Sequence, residues 1–235
     1  MNNGLYSALS AMRASENAIE IVSHNLANLT TPGFKRSNPT MEEFAVVLDG
    51  AVQQKTGVRQ EVDYSQGPLD IVDDHMKLAM DGPGFFVFDG PTGEVLSRYG
   101  GLLVSQDGEL TSEEGLPVAW ESRSKPIDPY GPTFEVRDDG VVMQDGDELG
   151  RLRLVDYADY KSLEQLSEGY FRAPLDLEEI PAAGMVVQGA IERPNVTGIS
   201  ELVEMVGYQR AYDIASRSVA MISESYQRLN RPSGS

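Results

Sequence analysis

The stretch GLYSALSAMRASENAIEIVSHNLANL, residues 4 to 29, decides the fold. Leu5, Met12, Ile19 and Leu26 fall seven apart, and Ala8, Ser15, Val22 and Leu29 repeat three residues behind them. Four heptads with mostly apolar a and d positions predict a coiled-coil helix. Gly4, Ala11, Ala18 and Asn25 flank this seam with small side chains that let another helix come close, while Arg13, Glu16 and Glu20 sit away from it. Asn28, Thr30 and Thr31 compete for backbone hydrogen bonds, and Pro32 disfavours the helical conformation at Thr31. The helix is therefore expected to stop near Asn28 or Leu29.

The other end of the chain repeats the pattern. Met205, Tyr212, Val219 and Tyr226 fall seven apart, with Tyr208, Ala215, Ile222 and Leu229 three behind, which predicts a second helix from about Ser200 to Leu229. Between the helices the period changes. Phe85–Phe88, Val95–Tyr99, Leu102–Val104, Thr133–Arg137, Val141–Met143, Leu152–Val155 and Met185–Val187 are short β-favouring runs, and Asp-Gly pairs begin at residues 81, 89, 107, 139 and 145. Asp-Gly supplies the positive φ angles of tight hairpin turns. The clearest hairpin has Phe134 and Val136 alternating with Glu135 and Arg137, then Asp139-Gly140, then Val141 and Val142. Residues 37–68 read as a connecting segment with one short apolar group, Met41, Phe44, Ala45, Val47 and Leu48. The expected division is thus 1–36, helix and turn; 37–68, connection; 69–197, β-rich domain; and 198–235, C-terminal helix.

The residues also carry a resemblance. Ala8-Leu-Ser-Ala-Met12, Ser23-His-Asn-Leu-Ala-Asn28 and Thr31-Pro-Gly-Phe-Lys-Arg36 resemble the N-terminal signature of bacterial flagellar basal-body rod and hook proteins, with His24 where that pattern usually has Asn. Its motif turn corresponds to Asn25, Asn28, Thr31, Pro32, Gly33 and Phe34. Gly67-Pro-Leu-Asp-Ile71, Leu78–Phe86, Gln106–Leu110, Leu149–Val155 and Leu163–Tyr170 resemble successive middle segments, and Leu96-Ser-Arg-Tyr-Gly100 matches in part. Val187-Gln-Gly-Ala-Ile-Glu192, Asn195-Val-Thr197 and Tyr208-Gln-Arg-Ala-Tyr212 resemble the C-terminal signature, with Pro194 in place of the usual Ser. Within the family the short chain and compact middle are most similar to proximal rod members, with distal rod members next. Phe44 and Leu48 also have the spacing of the family's export-gate docking motif, an aromatic four residues before an aliphatic; a short helix packed on the sheet is the plainer reading.

Composition narrows the remaining classes. The 235 residues suffice for a substantial core, and the absence of cysteine removes disulfides and thiolate metal sites. A net charge of −18, from 19 basic and 37 acidic residues, argues against nucleic acid or an anionic membrane as partner. The charge is unevenly placed. Residues 1–30 carry −1 and residues 198–235 carry zero, which leaves −17 in residues 31–197. No apolar run reaches the roughly 18 residues of a membrane span, and the N-terminus lacks the layout of a cleavable signal, so no membrane insertion is expected.

Residue patterns for chemistry are weak. His24 and His75 stand far apart with no ligand spacing, so neither a metal nor a cofactor is expected. Asp138, Asp139, Asp145, Asp147 and Glu148 lack the order of a calcium loop and fit two hairpin turns. Asn28-Leu-Thr30 and Asn195-Val-Thr197 match a glycosylation pattern but read better as cap and turn residues. Gly82-Pro-Gly84 precedes strand aromatics and reads as a tight turn, and Phe85, Phe86 and Phe88 read as core.

The expectation is an α+β protein whose N- and C-terminal helices form a coiled-coil-like layer beside a β-rich middle domain. The resemblance implies a structural axial subunit of the flagellar rod, not an enzyme, that assembles with itself and with other rod subunits. It also implies export by the flagellar apparatus and residence in the basal body, within the periplasm where the cell has an outer membrane. The assembly interface is expected at Leu5, Met12, Ile19, Val22, Leu26, Leu29, Met205, Tyr208, Tyr212, Val219, Ile222, Tyr226 and Leu229. A distal rod or hook subunit is the near alternative. A β-rich enzyme acting on glycans through paired carboxylates is the alternative of another class, and truncation of residues 1–30 and 198–235 separates the two: turnover could survive it, assembly could not.

Overall fold

Both heptad stretches are helical in the computed structural model, which describes residues 2–48, 51–166 and 169–229, without the side chains of residues 2–3, 43–48, 51–55 and 229. Helix α1 spans Asn2–Ala27 and α2 spans Gly198–Leu229. The chain divides into two units, each interrupted in sequence. The first comprises Met1–Leu29, Ser37–Asp63 and Val196–Ser235; the second comprises Thr30–Arg36 and Tyr64–Asn195.

In the first unit the helices pack antiparallel. A Cβ added to Gly4 would meet Ile222 Cδ1 at 3.7 Å, and one added to Gly198 would meet Leu29 Cδ1 at 3.0 Å. On α1 the fully buried line runs through Ala14, Ser15, Ala18, Val22 and Asn25, while Leu5, Met12, Ile19 and Leu26 are half-buried. Of the small residues read as a flank, Ala18 and Asn25 lie in this buried line, beside the seam residues Ser15 and Val22, while Ala11 is half-buried and Gly4 exposed. On α2 the seam faces inward: Ala215 is buried, and Met205, Tyr208, Tyr212, Val219, Ile222 and Tyr226 are half-buried.

The segment after α1 is a long hairpin. Strand β1 (Ser37–Leu48) and strand β2 (Ala51–Val62) pair antiparallel, from Ser37 opposite Val62 to Leu48 opposite Ala51. Phe44 and Leu48 therefore lie on strand backbone, not on a short helix; their side chains are outside the described residues. The available sequence signal was the β-branched set Val47, Val52, Thr56, Val58 and Val62 about an Asp-Gly pair at 49–50. Pro39 argues against a central strand, and a two-stranded ribbon tolerates it because each strand has one edge outside the ladder. The hairpin lies against α1, where Ser10 Oγ accepts the Thr56 N–H at 3.4 Å.

The second unit is built from antiparallel ladders. Strands β5 (Phe85–Gly90), β6 (Gly93–Ser97), β13 (Leu154–Tyr157), β14 (Glu164–Gln165), β15 (Tyr170–Arg172) and β16 (Glu179–Pro181) form a six-stranded sheet in the order β14-β15-β6-β5-β13-β16. Strands β4 (Lys77–Asp81), β7 (Tyr99–Val104), β8 (Leu110–Ser112) and β17 (Met185–Gln188) form a second sheet, ordered β17-β4-β7-β8. A third contains β9 (Trp120–Arg123), β10 (Glu135–Val136), β11 (Val141–Gln144) and β12 (Asp147–Leu152), ordered β10-β11-β12-β9, and β3 (Leu69–Ile71) pairs with β18 (Ala190–Glu192).

Leu78, Met80, Phe86, Phe88, Leu102 and Leu110 share one core with Phe134, Val142 and Leu152. Full burial of such side chains contributes about 1.5–3 kcal/mol each. Phe85-Phe-Val-Phe88 does not alternate with polar residues because β5 is buried on both faces; Phe85 packs against Phe171 and Tyr160 at ring-centroid distances of 5.8 and 5.6 Å. The expected β10–β11 hairpin is present, with Val136 opposite Val142 and Gly140 at φ +83°. Leu152–Val155, read as one strand, ends one sheet and starts another, and Arg153 between them donates its N–H to Ala119 O at 3.0 Å.

Candidate assembly surface and motif nodes

The motif residues build two buried polar nodes, one in each unit. In the first unit the Asn25 side chain has no exposed surface. Its Nδ2 donates to Ser37 O and to Glu201 Oε2, both at 2.8 Å, and its Oδ1 accepts the Ser37 N–H at 3.0 Å. One amide thereby fastens α1 to the start of β1 and to the first turn of α2. Glu201 suits that turn, where a carboxylate faces the positive end of the helix dipole. Asn28 closes α1: its Nδ2 donates to His24 O at 2.9 Å.

In the second unit Thr31-Pro32-Gly33-Phe34 forms a turn in which the Phe34 N–H donates to Thr31 O at 3.3 Å. Pro32 presets the second position, and Gly33, at φ +70°, supplies the left-handed third position that such a turn requires. A Cβ on Gly33 would also lie 3.1 Å from Tyr99 N. The turn delivers Phe34 and Lys35 into the interior, each 1 % exposed.

Lys35 meets Glu192, which is fully buried. Lys35 Nζ donates to Glu192 Oε1 at 2.5 Å and to Ser65 O at 2.7 Å, and the Gly67 N–H donates to the same Oε1 at 2.9 Å. Arg98 Nε donates to Glu192 Oε2 at 2.9 Å, while its terminal nitrogens reach Gly82 O, Gly84 O and Met80 O at 2.7, 2.6 and 3.0 Å. Glu192 O accepts the Gly33 N–H at 2.8 Å. Asn195 adds a further tie: its Oδ1 accepts the Arg36 N–H at 2.7 Å, and its Nδ2 donates to Ser65 O and Oγ at 3.1 Å. Three motif segments that are remote in sequence thus meet on one carboxylate. Lys35, Arg98 and Glu192 carry no mark of this role in the sequence, since neither burial nor partners are visible in a local pattern.

The outer face of α2 was also missed. Ile199, Leu202, Val203, Val206, Ile214 and Met221 are 46–77 % exposed. Ile199, Val203, Val206, Ile214 and Met221 recur at helical spacing on the side opposite the seam, with Arg210 and Arg217 interspersed. The signal was present as a second apolar period offset from the heptad seam. No helix among the described residues is long and apolar enough to cross a membrane. The helix therefore offers this stripe without being a membrane-spanning helix.

Buried clamps that fasten distant segments and an apolar helix face on the surface define a structural assembly protein. The comparisons agree. Residues 5–35 match the family described as flagella basal body rod protein, and residues 187–231 match the C-terminal family of flagellar basal body rod FlgEFG proteins. The flagellar basal-body rod protein FlgG of Buchnera aphidicola subsp. Schizaphis graminum is 30 % identical, over 97 % of this chain and 98 % of the relative. FlgF of Caulobacter vibrioides is 30 % identical over 98 % and 96 %, and FlgG of Bacillus subtilis is 25 % identical over 97 % and 98 %. The chain belongs to the flagellar basal-body rod protein family. It is a structural component of the flagellar basal body, and the glycan-enzyme alternative finds no support in these relatives.

Proposed function

We propose that the chain is an axial subunit that polymerises with copies of itself and with other rod subunits, its two terminal helices forming the coiled-coil-like layer of the rod. The observation that carries this is the apolar stripe on the outer face of α2, from Ile199 to Met221, which is exposed and uncovered among the described residues although α2 is already packed along α1 by its other face. Exposed apolar surface of this extent marks a contact surface. The inward seam, from Met205 to Tyr226 on α2 and including Val22 and Leu29 on α1, holds the helix pair that presents the stripe, and half-buried Leu5, Met12, Ile19 and Leu26 extend the contact at its border; the Leu229 side chain lies outside the described residues.

Among rod positions the proximal one fits best. Alignment to the Caulobacter FlgF spans 241 positions and alignment to the Buchnera FlgG spans 258, against a chain of 235 residues, so the FlgF-like relative requires fewer insertions. The same reading makes the chain a client of the flagellar export apparatus, with Phe44 and Leu48 as the candidate docking pair, placed in the periplasmic part of the basal body where an outer membrane exists. Imaging of a functional tagged chain in isolated basal bodies tests the whole reading. Density in the rod is expected; a tag found only in the cytoplasm of cells with complete rods would overturn it.

A further inference from the structure

The outer faces of the two helices match each other. On α1, Tyr6 and Leu9 are 43 % and 37 % exposed, and exposed Glu16 and Glu20 follow about two and three turns after Leu9 along the same face. On α2, exposed Arg210 interrupts the apolar stripe between Val206 and Ile214, and Met221 lies near its far end. Among the described residues, Glu16, Glu20 and Arg210 take part in no ion pair. The register of the helix pair is fixed by Gly4 against Ile222, Asn25 against Glu201, and Leu29 against Gly198. The same antiparallel register sets Tyr6 level with Met221, Glu16 level with Arg210, and Glu20 one turn from Arg210.

Resting on the proposed role as an axial subunit, we propose that the outer face of α2 docks on the outer face of α1 of a second copy of this chain, in that level register, with Glu16 of one copy opposite Arg210 of the other and Glu20 one turn away. The two patches differ and lie on opposite sides of the helix pair, so each copy offers one of each. Such a contact is heterologous: it adds subunits in one sense and yields a ring or an open helix, not a closed dimer. The apolar ends supply buried surface, and the charges at the centre choose the register, as complementary potentials do at interfaces.

The natural chain has no cysteine, so a full-length Tyr6→Cys/Met221→Cys variant reports the contact directly when it replaces the native protein in cells. Oxidation of isolated basal bodies is expected to give reducible dimers and longer ladders of this chain, with neither single variant doing so. A variant that is incorporated but never links to itself, or that links only to a different protein, overturns the proposal. Arg210→Glu is expected to reduce the number of assembled flagella about ten-fold or more. Adding Glu16→Arg is expected to restore them, because these positions face away from each other within one copy and can be re-paired only between copies. Normal assembly of Arg210→Glu, or loss without restoration, overturns it as well. Absence of the unmutated tagged chain from basal bodies would instead overturn the proposed function, a separate outcome.

Discussion

The side-chain amide of Asn25 donates to the carboxylate of Glu201 at 2.8 Å, and neither residue has any exposed surface. The two stand near opposite ends of the chain, and Ser37 completes the set, so a single asparagine joins the N-terminal helix, the hairpin and the C-terminal helix of the first unit. Replacing it tests how much of that unit depends on the node.

Asn25→Ala leaves the Ser37 N–H and one lone pair of Glu201 without their partner. Each buried group so deprived costs about 1–3 kcal/mol, so a loss of about 2–4 kcal/mol is expected in urea denaturation of the purified chain. Asn25→Asp is expected to do worse, since a carboxylate cannot donate to Glu201 and repels it.

Glu192 carries a larger load because two cations depend on it. Glu192→Gln takes from buried Lys35 and Arg98 the carboxylate they share, and a loss of about 3–5 kcal/mol is expected. Adding Lys35→Met removes one of the two cations that faced it. The double variant should therefore be more stable than the sum of the two single losses, a difference that a thermodynamic cycle of four urea titrations reads directly.

The two faces of α2 should separate folding from assembly. Val203 and Ile214 are each 67 % exposed, so Val203→Asp or Ile214→Asp is expected to change monomer stability by no more than about 0.5 kcal/mol while abolishing rod incorporation. Ile222 faces α1, and Ile222→Asp should instead lower the helicity of the isolated chain. Circular dichroism of the monomers and electron microscopy of basal bodies together distinguish these outcomes.

Alkali should unfold the second unit early. Burial, then the nearby Asp159 carboxylate, pushes the Tyr64 hydroxyl up to about 12, and burial, then Glu179, pushes Tyr157 up to about 12. Tyr160 is raised too, by burial and by its hydrogen bond to Asp156. An unfolded phenol ionises near pH 10, so above that the folded state holds protons that the unfolded chain has released. The stabilisation is fully present below about pH 10 and is lost as pH rises through about 12. A falling melting temperature over that window, shallower in Tyr64→Phe and coincident with phenolate absorbance, is the expected result.

Local patterns determined a good deal about this protein. Heptad spacing located α2 within two residues of its observed ends, Asn28 to Pro32 located the end of α1 equally closely, and Asp139-Gly140 located the β10–β11 hairpin, because each depends on side-chain period or backbone preference within a few residues. The motif segments also pointed to the rod family before any geometry was known. Tertiary structure decided what those patterns could not contain. Two apolar seams do not say which side chains meet, and in the folded chain small residues such as Ala18 set the close approach while larger Ile19 lies at its edge. Leu152–Val155 reads as one strand but serves two sheets, since a change of hydrogen-bonding partner leaves no mark on composition. Lys35, Arg98 and Glu192 look like ordinary surface charges in sequence. Only the fold brings them together out of water, where losing Glu192 takes from both cations the carboxylate they share.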